Sequence, residues 1–301
     1  MFGKVLVICG ATASGKTALA IDCAKRFNGE IISADALLVY KGLNIGTAKP
    51  TEEEKDGIVH HAIDVVSPND SFSVSDYERL ALPIVERLLK EDKTPIICGG
   101  TGFYVQSLLY KSQFGGAGAD ISVRKKYEKI CEEQGAEYVH GLLREVDAES
   151  AEKLHYNDVK RVIRALEIYE VTGKPKSAQK DEQISRFPFV AVSIDYPRET
   201  LYERINLRVE QMFARGLLEE VQGLIDSGVS PTAQCMQGIG YKEILEGMQM
   251  GASVQEMIEM IQKNTRNYAK RQLTFFKRMQ NHYMLAPSDA TANRVEQLLK
   301  D

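Results

Sequence analysis

A glycine-bounded loop near the N-terminus is the feature that most constrains what this chain can fold into. Residues 4–9 form a short, mostly apolar run, and Gly10-Ala11-Thr12-Ala13-Ser14-Gly15-Lys16-Thr17 follows it directly. The residues from 18 to 27 have the apolar spacing of a helix, which Asn28-Gly29 would end. Because Gly-x4-Gly-Lys-Thr lies here between a strand and a helix, the sequence predicts a phosphate-binding loop.

The residue types in this loop suit phosphate chemistry. Gly10 and Gly15 allow backbone N–H groups to turn toward phosphate oxygens, and the helix N-terminus adds partial positive charge. Lys16 brings a full charge to the terminal phosphates, and the Thr17 hydroxyl can bind Mg²⁺. The alternative, a glycine-rich turn that binds nothing, leaves the fixed spacing of these residues unexplained.

Composition excludes several classes of protein. The chain has 301 residues, a formal net charge of −4 and 44% hydrophobic residues, as expected for a globular protein of one large domain or two. Its five cysteines are widely spaced, so neither a disulfide framework nor a structural zinc site is indicated. No apolar run approaches the ~18 residues of a membrane helix, and we expect a cytoplasmic location and no membrane partner.

Apolar segments alternate with helical ones over the first 110 residues. Short strands are predicted at 30–33, 61–66 and 94–98, and helices at 74–90 and from Phe103. The helix at 74–90 is expected to bury a face made of Leu80, Ile84, Leu88 and Leu89. This alternation predicts an α/β fold, a P-loop NTPase-like parallel sheet with helices on both faces.

A glycine-rich stretch divides the chain. Residues 114–119 (Phe-Gly-Gly-Ala-Gly-Ala) have the composition of a flexible joint, and only helical patterns follow it. Strand character returns at 189–194, and a long helix starts at Arg198. We therefore expect an all-helical insertion domain at 116–187, set within a core formed by 1–115 and 188–301.

Three loops should meet where the parallel strands end, since ligands bind at the carboxyl ends of such strands. They are the phosphate loop, Asp35 after the second strand, and Gly99-Gly100-Thr101-Gly102 after the strand at 94–98. That strand ends without the aspartate that holds Mg²⁺ in many nucleotide hydrolases, which favours a transferase. Asp35 becomes the main candidate carboxylate, because it alone follows a strand adjacent in sequence to the phosphate loop, and a turn or N-cap role is its alternative.

Two segments are strongly basic although the chain as a whole is acidic. Residues 263–278 hold six basic residues and no acidic one. Residues 153–164 hold Lys153, His155, Lys160, Arg161 and Arg164. Such stripes bind nucleic-acid phosphates, or they are simply solvated helix faces.

Ordered motifs extend over nearly the whole chain, from about residue 3 to residue 286. They are the phosphate loop, Ile32-Ser33-Ala34-Asp35, Val39-Tyr40-Lys41-Gly42, Ile45-Gly46-Thr47-Ala48-Lys49-Pro50, Gly99-Gly100-Thr101-Gly102, His155-Tyr156-Asn157-Asp158, Gly238-Ile239-Gly240-Tyr241-Lys242 and Ala269-Lys270-Arg271-Gln272. In this order they resemble the tRNA dimethylallyltransferases. The resemblance is to the bacterial form, since the chain carries no Cys/His zinc-finger segment after them.

The resemblance implies a reaction and roles for several residues. A dimethylallyl group would pass from dimethylallyl diphosphate to N6 of the adenosine 3′-adjacent to the anticodon, in a subset of tRNAs. Asp35 would be the general base, and Thr101 a polar contact near the reacting centre. Lys16, Arg208 and a Mg²⁺ ion on Thr17 would neutralise the leaving diphosphate. The adenine would have to leave the anticodon-loop stack.

The resemblance and the basic stripes together imply a set of contacts to the anticodon stem-loop. The expected residues are Asp35, Ala36, Leu37, Leu38, Thr101, Arg124, Lys160, Arg161, Arg164, Gly238, Gly240, Tyr241, Lys242, Lys263, Arg266, Lys270 and Arg271. The chain has Asp-Ala-Leu-Leu at 35–38 where the family has Asp-Ser-x-Gln, so the side chains at 36 and 38 offer the base no hydrogen bond. The aromatic residues Tyr268, Phe275 and Phe276 have the spacing of core residues.

Three other functions fit part of the sequence. A small-molecule kinase of the same fold would use ATP, and its insertion would be a lid. An isopentenyltransferase acting on free adenine nucleotides would keep the donor site without the basic stripes. A non-enzymatic nucleotide-binding adaptor would leave Asp35 and Thr101 without a reason to converge on the loop. We expect a monomer.

Overall fold

The computed structural model describes residues 3–111, 120–178 and 184–301 and divides the chain into two compact units. The first unit comprises Met1–Leu109 and Ser185–Asp301, and the second comprises Tyr110–Ile184. The second unit starts and ends a few residues earlier than the insertion expected at 116–187. The flexible joint expected at 114–119 lies outside the described residues.

A parallel sheet forms the centre of the first unit. Its strands are β1 (Val5–Cys9), β2 (Gly29–Ser33), β3 (His60–His61), β4 (Thr94–Gly99), β5 (Phe189–Ile194) and β6 (His282–Leu285). Their order in the sheet is β3-β2-β4-β1-β5-β6, and every neighbouring pair is parallel. The central strands β1 and β5 are buried along their whole length, as apolar strands covered on both faces must be. The predicted fold class is confirmed.

Helices cover this sheet and build the second unit. Before the second unit come α1 (Lys16–Phe27), α2 (Glu52–Lys55), α3 (Val74–Lys90) and α4 (Gly102–Leu109). The second unit contains α5 (Ile121–Gln134), α6 (Ala136–Val146), α7 (Ala148–Lys153) and α8 (Val159–Thr172). After it come α9 (Arg198–Ala214), α10 (Leu217–Asp226), α11 (Tyr241–Met250), α12 (Val254–Phe276) and α13 (Ala292–Lys300). None of the helices in the described ranges combines the length and the apolar character needed to cross a bilayer.

The third predicted strand is much shorter than expected. The sequence predicted a strand at 61–66, but β3 ends at His61. Ala62 and Asp64 have positive φ angles of 60° and 56°, so the chain turns out of the extended conformation directly after the strand. The backbone N–H groups of 64–66 instead donate to Leu38 and Val39. This stretch therefore closes over the loop that follows β2.

The buried face of α3 also differs from the prediction. Its bounds, Val74–Lys90, match the predicted 74–90, but Leu80, Ile84 and Leu89 are only half-buried. The residues that are wholly buried are Tyr77, Ala81, Val85 and Leu88. The prediction favoured the larger aliphatic residues, whereas Tyr77 fixes the helix rotation by stacking on Tyr104 of α4, with 4.0 Å between ring centroids.

Candidate active site

The phosphate loop has the backbone geometry of an anion site. Gly15 precedes α1 with a φ of +87°, which favours glycine, and no side chain caps the helix. The first N–H groups of α1 are thus available to an anion. The Nζ atom of Lys16 donates to Ala11 O at 2.5 Å, and Ser14 Oγ donates to the same oxygen at 2.8 Å. The loop residues Gly10, Ala11 and Ser14 are buried, while Thr12 and Ala13 are half-buried.

Asp35 and Thr101 lie side by side because β2 and β4 are neighbours in the sheet. Thr101 Oγ1 accepts a hydrogen bond of 3.0 Å from Ala36 N. Asp35 Oδ1 accepts from Leu37 N at 2.9 Å and from Leu38 N at 3.4 Å. One carboxylate oxygen therefore has the turn role, which was the alternative for Asp35, while the residue also lines both cavities described next.

Two cavities meet at this edge of the sheet. The larger has a volume of about 390 Å³, and the smaller has a volume of about 110 Å³. We call the larger one cavity A and the smaller one cavity B. Lys16, Thr17 and the Gly99-Gly100 pair line only cavity B, whereas Thr101 lines only cavity A. The residues that line both are Thr12, Asp35, Thr47, Arg208 and Tyr268.

Two cations that repel each other line cavity B, and the second of them, Arg208, lines cavity A as well. Burial lowers the pKa of Lys16, and the nearby charge of Arg208 lowers it further. Burial likewise lowers the pKa of Arg208, and the charge of Asp35 opposes that shift. The Nη1 atom of Arg208 donates to Thr12 Oγ1 at 3.4 Å. Two desolvated cations that repel each other favour an anion between them.

The surroundings of Thr17 suit a hydrated divalent cation held mainly by a ligand. Among the described residues, no group of three or more His, Cys, Asp or Glu side chains is placed to hold a metal ion. Cavity B does contain two buried polar atoms without a hydrogen-bond partner in the described structure, Ser33 Oγ and His60 Nε2. Hydroxyl and imidazole groups of this kind can hold water ligands of Mg²⁺. The donor set therefore fits Mg²⁺ bound through Thr17, water and phosphate oxygens.

Several residues expected to contact RNA surround cavity A. Ala36, Leu37, Gly238, Gly240 and Arg271 line it. A Cβ atom placed on Gly238 would come within 2.4 Å of Leu37 Cδ1, so these two segments are in direct contact. Leu38 lines cavity B instead.

Tyr241 requires a correction. It was expected to contact RNA, but its side chain is 0% exposed and its hydroxyl donates to Glu220 Oε1 at 2.7 Å. It can therefore support the wall of cavity A but cannot reach a bound RNA. The neighbouring Lys242 is exposed and pairs with Glu246.

The basic residues expected to contact RNA differ in their surroundings. In the second unit, Arg124 and Arg164 both bind Glu167, and Arg161 pairs with Asp158. Of the cations on α12, Lys263, Lys270 and Arg271 are exposed. Arg266 is half-buried and donates to Asn206 Oδ1 at 2.6 Å. As RNA contacts, all of these residues stay predictions.

Two residues of the site were missed by the sequence reasoning. Gln272 is buried, accepts from Thr12 N at 2.9 Å and donates to Gly100 O at 3.0 Å, so it connects the phosphate loop to the loop after β4. Tyr268 was expected in the core, yet it lines both cavities, and burial raises its pKa. The available signal was the Ala269-Lys270-Arg271-Gln272 motif, which ends with Gln272 and directly follows Tyr268.

Comparison with known proteins identifies relatives along nearly the whole chain. The sequence profile of the family described as IPP transferase matches residues 38–279. A tRNA dimethylallyltransferase from Acetivibrio thermocellus is 48% identical over 285 residues, covering 94% of this chain and 91% of the relative. One from Bacillus cereus is 48% identical over 276 residues, covering 91% of this chain and 87% of that protein.

The solved structures that superpose on this chain include members of the same group of proteins. A eukaryotic dimethylallyltransferase, solved in states acting on tRNA, superposes with a TM-score of 0.81 at 31% identity and covers 96% of this chain and 74% of that one. The full-length tRNA isopentenylpyrophosphate transferase of Bacillus halodurans has a TM-score of 0.73 at 36% identity. That alignment covers 99% of this chain and 97% of the other.

Proposed function

This chain belongs to the IPP transferase family, and we propose that it transfers a dimethylallyl group from dimethylallyl diphosphate to tRNA. The acceptor atom is N6 of the adenosine 3′-adjacent to the anticodon, in a subset of tRNAs. The observation that carries the proposal is the meeting of two cavities at Asp35 and Arg208. A group transfer needs two substrates with their reacting atoms adjacent, and two cavities with a shared wall provide that arrangement.

Cavity B suits the prenyl donor. Its cationic end, formed by Lys16 and Arg208, attracts a diphosphate, and Thr17 with water would hold Mg²⁺ there. When bound, Mg²⁺ neutralises charge on the departing diphosphate. The apolar lining suits a five-carbon chain and consists of Ala20, Ile31, Leu38, Pro50 and Ile63.

Cavity A suits the acceptor base. Its volume of about 390 Å³ can receive one flipped adenine, and its lining includes Tyr268, a flat aromatic surface. In the transfer, the N6 lone pair forms a bond to C1 of the prenyl group while the C1–O bond breaks. The diphosphate leaves with the bonding pair, and the N6 proton passes to the Asp35 carboxylate.

The free-nucleotide and kinase alternatives lack a specific observation in their favour. The exposed cations of α12 give RNA phosphates a binding surface that a free nucleotide would not need. We also propose that the protein is a monomer and acts in the cytoplasm. The deciding experiment is mass analysis of tRNA nucleosides after incubation with labelled dimethylallyl diphosphate and Mg²⁺. Phosphoryl transfer from ATP to a small acceptor, without prenylated adenosine, would contradict the proposal.

The Asp35→Asn variant tests the chemistry more closely. Asn retains an Oδ1 acceptor for Leu37 N and Leu38 N, so the turn should survive while the base is lost. We expect the single-turnover rate to fall by about 10²–10⁴-fold, with tRNA affinity within a few-fold of wild type. Asp92→Asn is the matched control, because Asp92 is exposed and in a left-handed turn that suits Asn. An Asp35→Asn rate within about three-fold of wild type would exclude the general-base role.

A further inference from the structure

One carboxylate holds an entire wall segment of the two cavities. Glu220 lies in the first turns of α10, and its Oε2 atom accepts from Asn44 N at 2.9 Å and Ile45 N at 2.7 Å. Its Oε1 atom accepts from Gly46 N at 3.0 Å and from the Tyr241 hydroxyl at 2.7 Å. Three consecutive backbone N–H groups and a phenol thus converge on one side chain. Such a concave arrangement of N–H groups is an anion-binding backbone geometry, here filled by the protein's own carboxylate.

The segment held in this way, residues 44–48, belongs to both cavities. Gly46 and Thr47 line cavity A, and Thr47 and Ala48 line cavity B. Thr47 itself is fixed from within the loop, because its hydroxyl donates to Leu43 O at 2.7 Å. Through Thr47, this segment is therefore part of the wall that the two cavities share.

Tyr241 locks the carboxylate in place. A Cβ atom on Gly46 would lie 2.7 Å from the Tyr241 ring, so the loop rests directly on that ring. Burial raises the pKa of Tyr241, and the charge of Glu220 raises it further, which keeps the phenol protonated as a donor. Gly238 and Gly240, which lie just before Tyr241 in the sequence, also line cavity A. The Glu220–Tyr241 pair therefore connects two segments that line cavity A, residues 46–47 and residues 238–240.

We propose that Glu220 is a positioning residue for the transfer: its carboxylate, oriented by Tyr241, holds residues 44–48 as the shared wall that aligns the adenine with the prenyl donor. This inference rests on the proposed function. Glu220 lines neither cavity A nor cavity B, so it acts through the loop whose N–H groups it binds. A displacement of about 1 Å in such a wall is enough to cost on the order of 10²-fold in rate.

The test uses Glu220→Gln, which replaces one carboxylate oxygen by an NH₂ group. Each carboxylate oxygen accepts two hydrogen bonds, so the NH₂ group would face two donors and lose both bonds. We expect the single-turnover rate at saturating substrates to fall about 10–100-fold, while tRNA KM and the affinity for inorganic pyrophosphate stay within about three-fold. Glu220→Asp keeps the negative charge, so its rate should lie between those of Glu220→Gln and the wild type. Tyr241→Phe removes one bond of the four and should cost less than Glu220→Gln. Glu219→Gln is the matched control, because Glu219 is the exposed neighbour on α10.

Two results would overturn the inference. One is a Glu220→Gln rate within about three-fold of wild type; the other is an equal loss of rate and pyrophosphate affinity, which would mean general loss of structure. If Glu220→Gln does not fold, an unchanged rate in Tyr241→Phe would overturn it. Failure of the wild-type chain to prenylate tRNA would instead contradict the proposed function. Amide hydrogen exchange at 44–46 measures the Glu220 contacts independently of that outcome.

Discussion

The cations on α9 and α12 of the first unit have surroundings opposite to those of the two arginines that bind Glu167 in the second unit. In the second unit, Arg124 Nε donates to Glu167 Oε1 at 2.9 Å and Arg164 Nη1 donates to Glu167 Oε2 at 2.7 Å. Glu167 itself is 0% exposed. In the first unit, the cations on α9 and α12 contact carbonyls, amides and aromatic rings instead. Arg204 Nε, for example, donates to Ala13 O at 2.8 Å. Among the described residues, Arg208, Lys263, Lys270 and Arg271 form no salt bridge.

This difference separates cations that hold the fold from cations that are available to a ligand. A charge that is desolvated without a counter-ion costs stability, and an anionic substrate recovers that cost on binding. A charge that neutralises a buried carboxylate is required by the fold itself. We therefore expect substitutions of the cations available to a ligand to lower activity at little cost in stability. Substitutions of the cations that neutralise a buried carboxylate should lower stability at little cost in activity.

The largest effect is expected at Arg208. Arg208→Gln removes a cation beside the departing diphosphate, and we expect the single-turnover rate to fall about 10²–10³-fold. Because the cation lies near Lys16 and is desolvated, the free energy of unfolding should be unchanged or higher. Single-turnover kinetics and urea unfolding measure the two quantities. Arg79→Gln, at an exposed arginine of α3, is the control. If Arg208→Gln lowered the stability but not the rate, Arg208 would belong with the cations that the fold requires.

The next effect concerns the buried carboxylate of the second unit. Arg164→Gln weakens the neutralisation of Glu167 and should lower the free energy of unfolding by about 1–3 kcal/mol, with pyrophosphate affinity unchanged. Arg161→Gln is the control, since its pair with Asp158 is exposed and contributes about 0–1 kcal/mol. Urea unfolding of the three proteins checks the order. If the Arg161 and Arg164 variants were equally stable, the buried Glu167 would need its arginine no more than the exposed Asp158 does.

The pH dependence of stability gives a second measure of the same carboxylate. Although burial opposes it, hydrogen bonds from Arg164, Asp120 N and Arg124 hold the pKa of Glu167 below its ordinary value. The stabilisation is therefore complete above pH ~4.5, the unfolded pKa, and is lost as the pH falls through the lower folded pKa. Glu167→Gln should flatten the stability curve in this acid range. A curve parallel to wild type would show that Glu167 does not contribute.

The smallest effect is expected in the salt dependence of tRNA binding. Removing a cation that binds an RNA phosphate should reduce the slope of log affinity against log salt by roughly 0.7–0.9. Lys263→Gln with Lys270→Gln removes two exposed cations of α12, and Lys160→Gln with Arg161→Gln removes two of α8. We expect both pairs to flatten the slope, and the α12 pair more, since Arg161 already has a partner in Asp158. A slope unchanged in both double variants would make these stripes solvated faces only.

The sequence alone determined the features that depend on local patterns. The phosphate loop, the bounds of α3 and the strand at Phe189–Ile194 follow from spacing and apolar periodicity, which neighbouring residues encode. The parallel sheet follows from the alternation of such segments. Asp35 could be selected because the end of a strand in a parallel sheet is a known ligand position. The family resemblance supplied Thr101 and Arg208.

Only the tertiary structure decided which distant side chains complete the site. Gln272 accepts from Thr12 N across 260 residues of sequence, and Glu220 accepts from Ile45 N across 175. Nothing in the residues around Glu220 distinguishes it from Glu219, because both are acidic residues in the first turn of one helix. The difference arises when packing places one carboxylate under the N–H groups of a loop. Local periodicity cannot encode that contact, since its free energy depends on both partners being brought together by the fold.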